Sequence, residues 1–201
     1  MSGKFKEAIL SKSGEKMLSL AKELFPFNRS LMGPDIRYSL EVFRKKHPEF
    51  KLLEFPTGAR VFDWEIPQEW IIREAYIEHE SGERFAVFSE SNLHIMGYSS
   101  PVNRFLKKEE LLCHIHTHPH DKTAIPYVTS YYKKDWAFCM SRDEVDRLPD
   151  GDYRVLIDSE FVDGHLCLQE AIIHGKSEKE IFFSSYLCHP SMANNELSGP
   201  V

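Results

Sequence analysis

Residues 184–201 read SSYLCHPSMANNELSGPV. An apolar run meets His189, Pro190 fixes the backbone after it, and Asn194, Asn195 and Glu196 follow within seven residues. An imidazole nitrogen with carboxylate or amide oxygens nearby is how a zinc site begins, with further ligands coming from other elements. Zinc held there would acidify a water near neutral pH and polarise a carbonyl, which is the chemistry of amide hydrolysis. The same residues also suit a strand end followed by a helix cap, so the pattern alone leaves both uses open.

Three other groups could do chemistry. HIHTHPH places His114, His116, His118 and His120 at every second residue. In an extended segment they would share one face and could hold a metal. Pro119 and Asp121 argue for a loop instead, with the imidazoles solvated or packed. Arg29 lies in FNRS, read as a polar turn that exposes it. Its guanidinium could grip a substrate carboxylate through two parallel hydrogen bonds, or brace a neighbouring domain. Tyr131, Tyr132 and Trp136 could stack on a sugar or peptide, or fill the core of a small β-module. The sequence has no GxSxG, P-loop or GxGxxG, so serine-hydrolase, nucleotide and dinucleotide chemistry has no support.

The elements that must position these residues change character along the chain. Residues 4–25 carry apolar residues at helical spacing (Ala8, Ile9, Met17, Leu18, Leu20, Ala21, Leu24), and Pro26 ends that helix. Asp35 is placed to cap a second helix over residues 36–46. From residue 51 the period shortens to β-like runs broken by Pro and Gly, including a hairpin through AYIEHE, ESGE and RFAVF. SRDEVDRL reads as a short capped helix. DYRVLIDSEF, HLCLQEAIIHG and KEIFFSSYLCHP read as three strands, the last apolar enough to be buried on both faces. This order predicts an α/β domain formed by residues 1–54 and 141–201, with an inserted β-rich domain over residues 55–140.

The chain has 201 residues, 42% hydrophobic, which suffices for a core. A formal net charge of −6 argues against nucleic acid or an anionic membrane as partner. The N-terminus is amphipathic and lacks the apolar core of a signal peptide. These features predict a soluble, cytoplasmic protein. Its four cysteines form no CxxC pair and read as free thiols.

Six collinear stretches carry a family resemblance: ELFPFNRSLMG (23–33), PTGARVFDWEIPQEWIIREAYI (56–77), SNLHIMGYSSPVN (91–103), AIPYVTSYYKKDWAFCMS (124–141), DGDYRVLIDSEFVDGHL (150–166) and SSYLCHPSMANNELSGP (184–200). They resemble the aminopeptidase-like proteins of bacteria and archaea, domain-of-unknown-function proteins related to the zinc-dependent leucyl-type aminopeptidases. The resemblance implies a zinc-peptidase-like α/β domain carrying an inserted β-rich domain, and a link to polysaccharide biosynthesis. His189 matches the family's first zinc-ligand histidine. In the wider zinc aminopeptidases the following segment reads Ala-Asn-Asp-Asn-x-Ser-Gly, and its aspartate bridges two zincs. Here Asn195 stands at that aspartate, and a neutral amide is a poorer bridge between cations. Glu196, one residue on, is the compensating candidate, so one zinc or an altered pair is expected. The resemblance also favours His114 and His116 over the other histidines, facing the active site from the inserted domain, and matches Arg29 and Ser30 to the family's Arg-Ser turn.

The family's domain continues past the residues matched here, with its remaining ligands and general-base glutamate. The chain is therefore read as the N-terminal portion of a zinc-dependent aminopeptidase-like hydrolase, inactive alone. The expected substrate is a peptide or a small aminoacyl or amino-sugar compound. Exposed sheet edges would favour homo-oligomers. The rival reading is a non-catalytic peptidase-like scaffold that binds a glycan or amino-sugar intermediate, motivated by Asn195 and the aromatic stretch PYVTSYY.

Overall fold

The computed structural model describes the backbone of residues 3–201 and the side chains of residues 12–201. Ala8 and Ile9 of the predicted apolar stripe lie outside the described side chains. The chain divides into two compact units, one made of Met1–Phe55 and Leu166–Val201, the other of Pro56–His165.

The unit over residues 56–165 is built on a four-stranded antiparallel sheet. Its strands are β4 (Glu69–His79), β5 (Arg84–Phe85), β6 (Val102–Lys107) and β9 (Asp152–Val162), in the order β5-β4-β9-β6. The sequence of β9 explains its central place. Tyr153, Val155, Ile157 and Ser159 alternate with outward residues and are all buried, as a strand with one core face requires. Tyr153, Val155 and Ile157 meet Ala75 and Ile77 of β4 and Leu106 of β6 in one apolar cluster. On the outer face Arg73 pairs with Asp158 and Glu160. Because β9 is paired on both sides, residues 141–165 belong with this unit. The second boundary therefore falls at 165/166 and not at 140/141.

One corner of the core is fixed by polar contacts. Tyr98 takes a left-handed φ of 65° and delivers the Ser99 carbonyl to two donors, Trp70 Nε1 and Ser159 Oγ, each at 2.9 Å. Two minor strands, β7 (Ile115–His116) and β8 (Phe138–Cys139), pair in parallel. Between them most of residues 117–137 is irregular. The short helix α4 (Arg142–Val145) opens on a complete capping box, with Ser141 and Glu144 bonded to each other's backbone amides. Phe62 is 98% exposed.

The other unit contains α1 (Gly3–Leu24), α2 (Pro34–Lys46) and a two-stranded sheet of β1 (Lys51–Pro56) and β10 (His165–Glu170). Leu24, Ile36, Val42, Phe43, Leu187 and Leu197 form its buried cluster. Helix α2 starts at Pro34 after Gly33, whose φ of 121° few side-chain-bearing residues adopt. Asp35 is not the cap. It sits in the first turn, and its carboxylate accepts the Asn28 amide at 2.8 Å.

The third predicted strand does not form. Ile181, Phe182 and Phe183 are 85–89% exposed, and among the described residues none of 171–192 lies in a strand. An extended segment becomes a strand only when a neighbour takes its hydrogen bonds. Apolar content by itself supplies none.

No described helix is long and apolar enough to cross a membrane. All four cysteines are free, with Cys139 and Cys167 buried, Cys188 half-buried and Cys113 exposed. Burial pushes the Cys139 thiol up to about 12. An unfolded chain releases that proton nearer pH 9, so above pH 9 the folded state binds more protons and stability falls as pH rises. Urea melts from pH 8 to 11 should show this decline, and Cys139→Ala should flatten it. An unchanged slope in the variant would assign the alkaline loss to other groups.

Candidate metal centre

The site lies where residues 187–197 cross the loop between α1 and α2. Leu187 and Leu197 are both buried in the cluster with Leu24 and Ile36. They pin the two ends of the segment, and the polar residues between them are held by that anchoring. Residues Ala193–Leu197 form a single π-helical turn, with Leu197 and Ser198 amides donating to the Met192 and Ala193 carbonyls at 3.3 and 2.9 Å. Single turns of this kind often occur at functional positions.

This turn carries the Glu196 carboxylate inward to 1% exposure. It accepts two hydrogen bonds from His189, from the backbone amide at 2.7 Å and the ring Nδ1 at 2.6 Å. A carboxylate only accepts, so the ring proton sits on Nδ1. A carboxylate that holds a histidine in this way fixes the tautomer and orientation a metal ligand needs.

Cys188 completes the group. Its sulfur lies 3.8 Å from His189 Nδ1. One ligand atom from each of Cys188, His189 and Glu196 falls within 4.8 Å of the others. Burial first, and then the Glu196 carboxylate, pushes the Cys188 thiol up to about 11, with Arg29 pulling the other way. The thiol is therefore protonated at neutral pH, and a metal would have to displace that proton to bind sulfur. A nitrogen, a sulfur and a carboxylate oxygen are a donor set that suits zinc. The residues present fit the ion.

Asn195 points elsewhere. It is exposed, and its side-chain oxygen accepts the Tyr186 hydroxyl at 3.0 Å. Arg29 is not exposed by its turn but 1% accessible. Its Nη1 donates to the Leu24 carbonyl at the end of α1, which also accepts the Phe27 amide at 3.3 Å. Burial lowers its pKa, while Glu196, Asp35 and Cys188 act in the opposite direction. Ser30 beside it is also buried.

The remaining candidates belong to residues 56–165 and are not gathered there. His114 stacks on Trp136 at 3.7 Å between centroids, and Arg104 lies over the same indole. His116 is exposed on β7. His118 Nδ1 accepts the Asp121 amide in its own loop. Tyr131 packs edge-on against Tyr98 and shares a hydroxyl hydrogen bond with Tyr127. Tyr132 is 88% exposed. Among the described residues only Cys188, His189 and Glu196 form a group of three possible ligands. Cys188 is the member that sequence reasoning passed over, although it directly precedes His189.

Residues 69–160 match the family described as Domain of unknown function (DUF2172). A protein of Clostridium acetobutylicum provisionally named as a polysaccharide biosynthesis protein with aminopeptidase-like domain is 43% identical over 189 residues, 94% of this chain. A crystal structure from the same organism, provisionally titled a peptidase, superposes with a TM-score of 0.90 at 43% identity. The chain is similar to peptidase-like proteins over 94% of its length. It spans 43% of the length of the curated relative and 45% of the crystallised chain.

Replacing Glu196 tests how the site is held. Glu196→Ala strands the His189 amide and should cost about 1–3 kcal/mol in urea denaturation, whereas Glu196→Gln, which keeps an acceptor, should cost less. Equal and negligible losses would mean that the buried pair does not hold the segment.

Proposed function

We propose that this chain carries part of the active site of a zinc-dependent, aminopeptidase-like hydrolase that cleaves an amide bond in the service of polysaccharide biosynthesis. The observation that carries this reading is the buried Glu196 carboxylate bonded to both the backbone and the ring of His189. His189 and Cys188 would hold the ion, and Glu196 fixes the imidazole or joins them as a ligand. The ion would supply Lewis acidity and an acidified water. The side chains named here bind and orient. None is placed as the general base, which this reading assigns, with the other ligands, to the part of the relatives' length that the chain does not span.

Asn195 argues for a single ion at this position. Its oxygen is occupied by Tyr186, and an amide carries no charge with which to bridge two cations. The names of the relatives support the hydrolase class and the polysaccharide link.

Elemental analysis of the complete protein, after mild chelation and return of zinc, tests the reading. It should hold zinc, and His189→Ala should lose it with a tenfold or greater rise in dissociation constant, the order seen when a ligand is removed (about tenfold per 1.4 kcal/mol). Full zinc retention in His189→Ala would remove His189 as a ligand.

A further inference from the structure

Arg29 holds a charge that the structure leaves only partly used. Its side chain is 1% exposed. Nη1 is spent on the Leu24 carbonyl. Nε and Nη2 are buried and have no hydrogen-bond partner. Buried polar groups nearly always have partners, and a buried guanidinium needs them most. The two nearest compensating carboxylates are engaged elsewhere, Glu196 with His189 and Asp35 with the Asn28 amide.

The identity of the two idle nitrogens matters. Nε–H and one Nη2–H lie along the same edge of the planar group and point in the same direction. That edge matches the two oxygens of a carboxylate, the bidentate pairing for which arginine is suited and lysine is not. Helix capping through Nη1 fixes the guanidinium and leaves this edge intact. Coulombic coupling of Arg29 to Cys188 and Glu196 places it beside the candidate metal centre.

We propose that the Nε–Nη2 edge of Arg29 is a carboxylate-binding subsite, and that the substrate is a small amide bearing a free carboxylate. This rests on the hydrolase reading of the same site and specifies its substrate. The amide is cleaved at the ion, and the carboxylate at Arg29 sets how the molecule lies. A cation at His189 would repel Arg29, and an anionic substrate between them removes that conflict. The edge is closed from solvent in the form described, so a ligand reaches it only when the chain around Arg29 moves aside.

The test compares N-acetylglycine with N-acetylglycinamide, which differ only in the carboxylate, by titration calorimetry on the complete protein held in chelator. The acid should bind at least about tenfold more tightly than the amide, a margin of the size bidentate charged pairs provide. Arg29→Lys keeps the charge but loses the paired edge, and Arg29→Gln loses both. Each should abolish the preference while circular dichroism stays that of the parent. Equal binding of acid and amide by the parent protein overturns the proposal, whether or not the variants fold. A preference that survives in Arg29→Lys overturns it too, as does tighter binding of inorganic phosphate than of N-acetylglycine. Zinc content, measured on separate aliquots after the chelator is removed and zinc returned, separates the two readings. Carboxylate preference in a protein that never retains zinc leaves the subsite and removes the hydrolase. Zinc retention without carboxylate preference does the reverse.

Discussion

A carboxylate with 1% of its surface accessible must find donors within the protein, and Glu196 finds both of its donors on one residue. That choice has a geometric consequence. A hydrogen bond to the His189 backbone fixes the distance between residue 189 and the following turn. A second to Nδ1 fixes the ring relative to that backbone. The imidazole then cannot swing without unpairing a buried charge. Leu197, next in sequence and also buried, holds the turn from the opposite side. The local conformation of residues 189–197 follows from one acid that has to be satisfied and one leucine that has to be covered.

The same unit buries a charge of opposite sign a short way along. Arg29 closes the C-terminus of α1, where a cation is favoured by the helix dipole. It is compensated through space by Glu196, Asp35 and Cys188 without a hydrogen bond to any of them. Two buried charges that attract but do not touch leave room in energetic terms for a third, negatively charged partner. Thiol, imidazole, carboxylate and guanidinium are in this way brought under one apolar roof built from α1, α2 and residues 187–197.

The unit over residues 56–165 obeys a simpler rule. Strict alternation in β9 selects one face for the core, and the pairing on either side follows from it. Its aromatic residues are used for packing: Tyr98 with Trp70 and Tyr131, and Trp136 with His114. The histidine run therefore distributes its side chains among a stack, a solvent-facing position and a loop, and brings no three of them together among the described residues.

Several features were legible in the sequence because they depend on neighbours in the chain. Helical periodicity placed α1 and α2, Ser141 and Glu144 marked the capping box, and His189 with Glu196 marked the candidate site within a short stretch. What escaped depends on contacts distant in sequence. Arg29 looks like a surface residue in FNRS, and only the packing of Leu24 and Ile36 against Leu187 and Leu197 buries it. Cys188 looked like an ordinary thiol until the inward turn of Glu196 brought a third ligand beside it. The apolar run at 181–183 resembled a buried strand, yet strand formation needs a hydrogen-bonding neighbour that composition cannot supply. Residue types and short spacings determined which chemistry was available here. Tertiary packing decided which groups share one desolvated space, because burial and charge compensation are set by atoms that the chain brings together from far apart.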